Sequence, residues 1–170
     1  MGFGIKADVV PCLEYRKYKR FPSLETSDYT PGISFYKMDG ESLENIISYP
    51  KPHLDNCSVK NDVLDGKFKN MVRVFKNLRL ELIQAGAIQD KDVCGYYIEN
   101  MLYNCREICY QGNYDQIFLS ILNNVYNDHQ KGNLLSYECP NEEQLLFSDT
   151  EWTIEKAIRF VEQCYLYYTS

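Results

Sequence analysis

The sequence predicts an α+β chain, with a few antiparallel strands first and a helical bundle after them. Three observations carry that prediction. Apolar residues alternate at a period of two near the amino terminus, they recur at three-four spacing from residue 66 onward, and a Pro-containing stretch separates the two regimes. The expected division is a strand part over 1–61 and a helical lobe over 62–170.

Residues 4–15 (GIKADVVPCLEY) put Ile5, Ala7 and Val9 on one side and Lys6, Asp8 and Val10 on the other, a strand in which Pro11 marks an edge or a bend. Residues 16–31 are basic at first (Arg16, Lys17, Lys19, Arg20), contain Pro22 and Pro31, and read as a long loop. Residues 32–38 (GISFYKM) form a second strand, closed by Asp39-Gly40. Strands this close in sequence pair as antiparallel neighbours. Residues 41–61 read as a short helical turn followed by irregular chain around Pro50 and Pro52. From 66 to 85, Phe68, Met71, Val72, Phe75, Leu78 and Leu82 share one helical face, with Asp62 or Asp65 as candidate cap and Gly86 as the stop. A second helix is expected from near Asp92, with Val93, Tyr97 and Met101 on one face. A third covers 114–130 and ends by Gly132, and a fourth begins after Asp149 or Thr150. Two strands are too few to be stable alone in water, so the sheet reads as the edge of a larger one that has been cut.

Composition narrows the function classes. The 170 residues are 45% hydrophobic and 14% aromatic, enough to build a core and unlike a disordered chain. A net charge of −6 argues against general nucleic-acid binding, which needs an excess of cations, but leaves room for one local basic pocket. Seven cysteines form no C-x-x-C pair, and His53 and His129 stand isolated, so no zinc-site spacing emerges. No apolar run reaches the ~20 residues of a membrane helix. Lys6, Asp8 and Glu14 interrupt the first stretch too early for a signal peptide. The expectation is a cytoplasmic chain with reduced thiols.

Several residues carry possible chemistry beside a plainer reading. Asp8 lies in a Val-rich strand, where a carboxylate must be solvated, paired or bound to a cation. It is either a Mg2+ ligand or an acid on an exposed edge. Lys69, Arg73 and Lys76 share a helix face and could hold a triphosphate or simply line a solvated surface. Tyr96, after Gly95 near a helix start, could stack a nucleobase or pack like the other tyrosines. Cys105 and Cys109, one turn apart, read as small buried hydrophobes. No Walker loop or dinucleotide fingerprint is present.

The order of these pieces is more specific than any one of them. ADVVPCLEYRKY (7–18), GISFY (32–36), YPKPHLDN (49–56), FKNMVRVFKNLR (68–79), GYYIENMLYN (95–104) and CPNEEQLLF with Trp152 resemble the CD-NTase family along nearly the whole chain. That family includes bacterial dinucleotide cyclases and is similar in fold to cyclic GMP-AMP synthase and oligoadenylate synthetase. The resemblance implies a remnant of a polymerase-beta-like nucleotidyltransferase sheet followed by a helical bundle. It implies two Mg2+ ions held by three acids, with Asp8 as the third, while the Gly-Ser and D-x-D elements have no counterpart ahead of Asp8. It makes Lys76 the lysine on the donor triphosphate and Tyr96 the aromatic on a bound base. A serine that contacts phosphate in the family is Gly95 here. NTPs would be the substrates of the complete enzyme, in anti-phage signalling. A missing amino-terminal lobe would be the partner, and the isolated chain would be inactive. The competing expectations are a non-catalytic interaction module and a linear or tRNA-type nucleotidyltransferase.

Overall fold

The computed structural model describes residues 9–20, 23, 27–148 and 152–170. The chain divides into two compact units, Met1–Pro52 and His53–Ser170.

The first unit holds a three-stranded antiparallel sheet in the order β1-β2-β3: β1 (Leu13–Arg20), β2 (Asp28–Asp39) and β3 (Ser42–Ser48). Three expectations change here. Residues 9–12 of the expected strand over 4–15 belong to no strand among the described residues, and residues 1–8 lie outside them. The basic run expected as loop is β1 itself, with Tyr15 opposite Gly32 and Tyr18 opposite Tyr29. The expected helical turn after Gly40 is β3, with Tyr36 opposite Asn45. The cause is two-sided exposure. In β1 only Tyr15 is even partly buried, so its side chains carry no in-out alternation to read. Cross-strand pairs hold β1 instead: the Tyr18 and Tyr29 rings lie 5.6 Å apart, and the Arg16 guanidinium sits 4.7 Å from the Tyr29 ring. Tyr49 is buried beside Gly32, where a Cβ would come within 3.0 Å of its ring and 2.9 Å of the Ser48 carbonyl oxygen. Only glycine leaves room for that ring.

Helix α1 (Pro50–Val63) occupies the stretch expected to be irregular. Both prolines fall in its first turn, where backbone N–H groups have no intrahelical acceptor, so proline starts a helix there without breaking it. Helices α2 (Lys67–Gln84), α3 (Gly95–Tyr103), α4 (Tyr114–Gln130) and α5 (Ile154–Thr169) follow. The N-cap of α2 is Gly66 at φ 80, without a side-chain bond, in place of the expected Asp62 or Asp65. Asp65 is itself left-handed at φ 50, so the link from α1 is too tight to aim a carboxylate at the helix start. At the other end Gly86 stops α2 as expected. Its N–H donates to the Ile83 carbonyl at 3.0 Å, and the Ala87 N–H donates to Leu82 at 2.9 Å, a Schellman closure.

Asp92 ends a short 3-10 turn (Asp90–Asp92), and α3 begins three residues later, at Gly95. Helix α4 has the expected bounds, with a reciprocal cap between Asn113 and Gln116. Thr153 caps α5; the expected Asp149 and Thr150 lie outside the described residues.

The core of this unit joins Phe68, Met71 and Phe75 of α2 to Ile98 and Met101 of α3, Ile117 and Ile121 of α4, and Phe160 and Cys164 of α5. Phe75 sits at its centre, stacked on Phe118 at 4.8 Å. Full burial of such a ring contributes about 1.5–3 kcal/mol. Lys60 fixes α1 to the end of α3: its ammonium donates to the Tyr103 and Cys105 carbonyls at 2.7 and 2.8 Å and lies over the Tyr103 and Tyr110 rings. Burial lowers the pKa of this ammonium. No described helix is long and apolar enough to cross a membrane.

Candidate functional site

The start of α3 is where side chains of α1, α2 and α3 come together. Cys94 caps α3 without a side-chain hydrogen bond, so the cap side chain leaves the first-turn N–H groups and the positive end of the helix dipole to other acceptors. From α2, Lys76 reaches this point: a Cβ added to Gly95 would stand 3.2 Å from the Lys76 Cε. The Lys76 ammonium donates to Glu99 Oε2 at 2.9 Å, with the two side chains 37% and 22% exposed. Tyr96 is 45% exposed, and its ring stacks on that of His53 at 5.2 Å and 19°. Behind Tyr96 the aromatic contacts continue through Tyr97 to the buried Trp152, stacked at 4.9 Å.

Beneath this surface lies a polar cluster. His53 and Cys57 are four residues apart on α1 and so share a face. A ring nitrogen of His53, the Cys57 sulfur and a Glu99 carboxylate oxygen all lie within 4.8 Å of one another. Burial holds the His53 imidazole below its ordinary pKa, with Glu99 pulling upward and Lys76 downward. Burial, reinforced by Glu99, pushes the Cys57 thiol up to about 12, against the charges of Lys69 and Lys76. Burial also raises the Tyr96 phenol above its ordinary pKa.

The cationic stripe does not act as one group. Lys69 donates to Ser58 Oγ at 3.2 Å, Arg73 turns to Asn70 on its own helix at 2.9 Å, and Lys76 alone reaches α3. Asp8 lies outside the described residues. Among the described residues no set of carboxylates converges as Mg2+ requires; the ligand cluster that does converge offers sulfur and nitrogen, which suit Mg2+ poorly.

Residues 55–169 match the cGAS/DncV-like nucleotidyltransferase C-terminal helical domain. The chain belongs to the CD-NTase family. It is 34% identical over 159 residues to a cyclic UMP-AMP synthase of Rhodothermus marinus, covering 92% of this chain and 52% of that protein. It is 36% identical over 161 residues to a cyclic nucleotide synthase of Staphylococcus haemolyticus, again covering 92% of this chain and 52% of that protein. The solved R. marinus CdnE c-UMP-AMP synthase with Apcpp and Upnpp superposes with a TM-score of 0.79 at 32% identity, over 93% of this chain and 52% of that one. The Elizabethkingia meningoseptica CdnE synthase with GTP and Apcpp gives 0.81 at 30% identity, over 96% and 58%. This CD-NTase chain therefore spans about half the length of the curated relatives it matches. The expected α+β fold of that family is what the chain has.

His53, Cys57 and Glu99 escaped the sequence reading of this CD-NTase. The reason is α1: Pro50 and Pro52 read as irregular chain, and in irregular chain the H-x-x-x-C spacing does not mark one helix face. Prolines confined to a first turn are the signal that would have recovered it.

Proposed function

We propose that the chain is the carboxy-terminal portion of a nucleotidyltransferase that makes cyclic di- or trinucleotides from NTPs as signals in anti-phage defence, in the cytoplasm. The observation that carries this reading is the meeting of Lys76 and Tyr96 at the start of α3, in a chain similar to cyclic nucleotide synthases. Lys76 supplies an ammonium, and the α3 N-terminus supplies backbone donors, to a nucleotide phosphate. Tyr96, backed by His53, supplies a stacking face for a base. Glu99 holds the Lys76 ammonium until phosphate replaces it. Lys69 and Arg73 add positive potential at longer range. Asp8 is the proposed Mg2+ carboxylate on resemblance alone, and no step is assigned to it.

Because the chain spans about half the length of those relatives, this portion by itself is expected to be inactive and to work with an amino-terminal lobe. The sheet unit supports that expectation. Val10, Leu13, Met38 and Leu43 are all more than half exposed, an apolar surface that suits a covering partner.

The test adds NTPs and Mg2+ to the purified chain, with and without a separately expressed amino-terminal lobe bearing both motifs. We expect no product from the chain alone and cyclic product on mixing. Lys76→Ala should weaken NTP binding about tenfold or more, since a hydrogen bond to a charged group is worth about 1.5–3 kcal/mol. Tight binding of the added lobe without synthesis would favour a non-catalytic module. Linear product alone would favour the other nucleotidyltransferase classes.

A further inference from the structure

We propose that His53, Cys57 and Glu99 form a zinc site that ties α1 to α3. The three ligand atoms lie within 4.8 Å of one another, and they come from two helices. Imidazole, thiolate and carboxylate together are a donor set that zinc accepts and that hard cations do not. Bonds of about 2.0–2.3 Å in a tetrahedron would bring the ligand atoms to roughly 3.5 Å of one another, a contraction of side-chain torsions with both helices in place.

A second observation points the same way. His53 Nδ1 is buried and makes no hydrogen bond. Buried polar atoms without a partner are uncommon, and coordination through Nδ1 would satisfy this one. Charge also balances. Cys57 would bind as thiolate, releasing its proton to solvent, and thiolate plus carboxylate neutralise the dication. Glu99 Oε2 already accepts from Lys76, and the carboxylate has capacity for both partners. A fourth position remains for water. Because the His53 ring stacks on Tyr96, the metal would also set the orientation of the Tyr96 platform. The inference does not depend on the nucleotidyl-transfer reading: the site would be present whether or not the chain makes nucleotides.

The test uses the full chain without a polyhistidine tag. The protein is stripped with chelator, equilibrated with Zn2+, dialysed and assayed by elemental mass spectrometry, with Co2+ as spectroscopic substitute. We expect about one zinc per chain, a tetrahedral cobalt spectrum with a thiolate charge-transfer band, and a higher Tm with zinc than without. Cys57→Ser and His53→Gln should each abolish the charge-transfer band or weaken zinc binding about tenfold or more. The control replaces the exposed Cys12 and Cys94 by serine and should bind as the parent does. If Cys57→Ser fails to fold by circular dichroism, the partly exposed His53→Gln answers the same question. Zinc lost on dialysis of the parent, zinc retained equally by both site variants, or loss only in the Cys12/Cys94 control would each overturn the proposal.

Discussion

At the scale of single residues, the α3 start turns on what stands beside Lys76. Gly95 lacks the serine that the resemblance associates with phosphate, yet its backbone does not demand glycine, since its φ is outside the left-handed range. A Cβ there would meet the flexible end of the Lys76 side chain, which can give way. Gly95→Ser should therefore change stability by no more than about 0.5 kcal/mol in thermal denaturation. It should tighten NTP binding about tenfold, the value of one added charge-assisted hydrogen bond of ~1.5 kcal/mol. Unchanged or weaker binding by calorimetry would remove phosphate from the start of α3. Glu99 is the residue that unites the two readings of this region. Its carboxylate accepts from Lys76, the proposed phosphate ligand, and also faces His53 and Cys57.

At the scale of elements, helix ends were more legible than strands. Gly86 sits at φ 72 and closes α2 through two backbone hydrogen bonds, in open space where a Cβ would meet nothing. The cost of Gly86→Ala is thus backbone strain alone, about 1 kcal/mol, measurable by denaturant unfolding. A neutral result would mean that the chain leaves α2 by another path. The strands show the opposite case. β1 is exposed along nearly its whole length, and cross-strand rings and cations hold it, so a period-two search passes over it and settles on the Val-rich segment before it. Helix α1 was hidden by two prolines whose position in the first turn makes them helix starters.

At the scale of the whole molecule, the helical unit has a continuous buried core, while the buried residues of the described sheet unit are few, with Thr30, Gly32 and Tyr49 among them. The cysteines divide by burial. Cys57, Cys105, Cys109, Cys139 and Cys164 are buried in the helical unit, and Cys12 and Cys94 are exposed. Burial also raises the thiol pKa values of all five, which further slows their reaction. An Ellman titration of the native chain should release two fast equivalents, with the remaining five of seven appearing on denaturation. Fast reaction of more than two thiols would show that the helical core opens readily in the isolated chain. The exposed apolar residues of the sheet unit belong to this scale too, because the amino-terminal lobe proposed to cover them lies outside this chain.

The sequence by itself determined the α+β class, the extents of α2 and α4, the glycine stops and the family resemblance. Each rests on local periodicity, local chain chemistry or the order of short strings. The roles proposed for Lys76 and Tyr96 rest on that resemblance. Only the tertiary structure decided that β1 and β3 are strands and that Pro50 opens a helix, because cross-strand partners and a first-turn position had to be known first. Only it separated Lys76 from Lys69 and Arg73, which share its face but not its partner. Only it brought His53 and Cys57 of α1 against Glu99 of α3, since residues on different helices meet through packing and not through spacing along the chain.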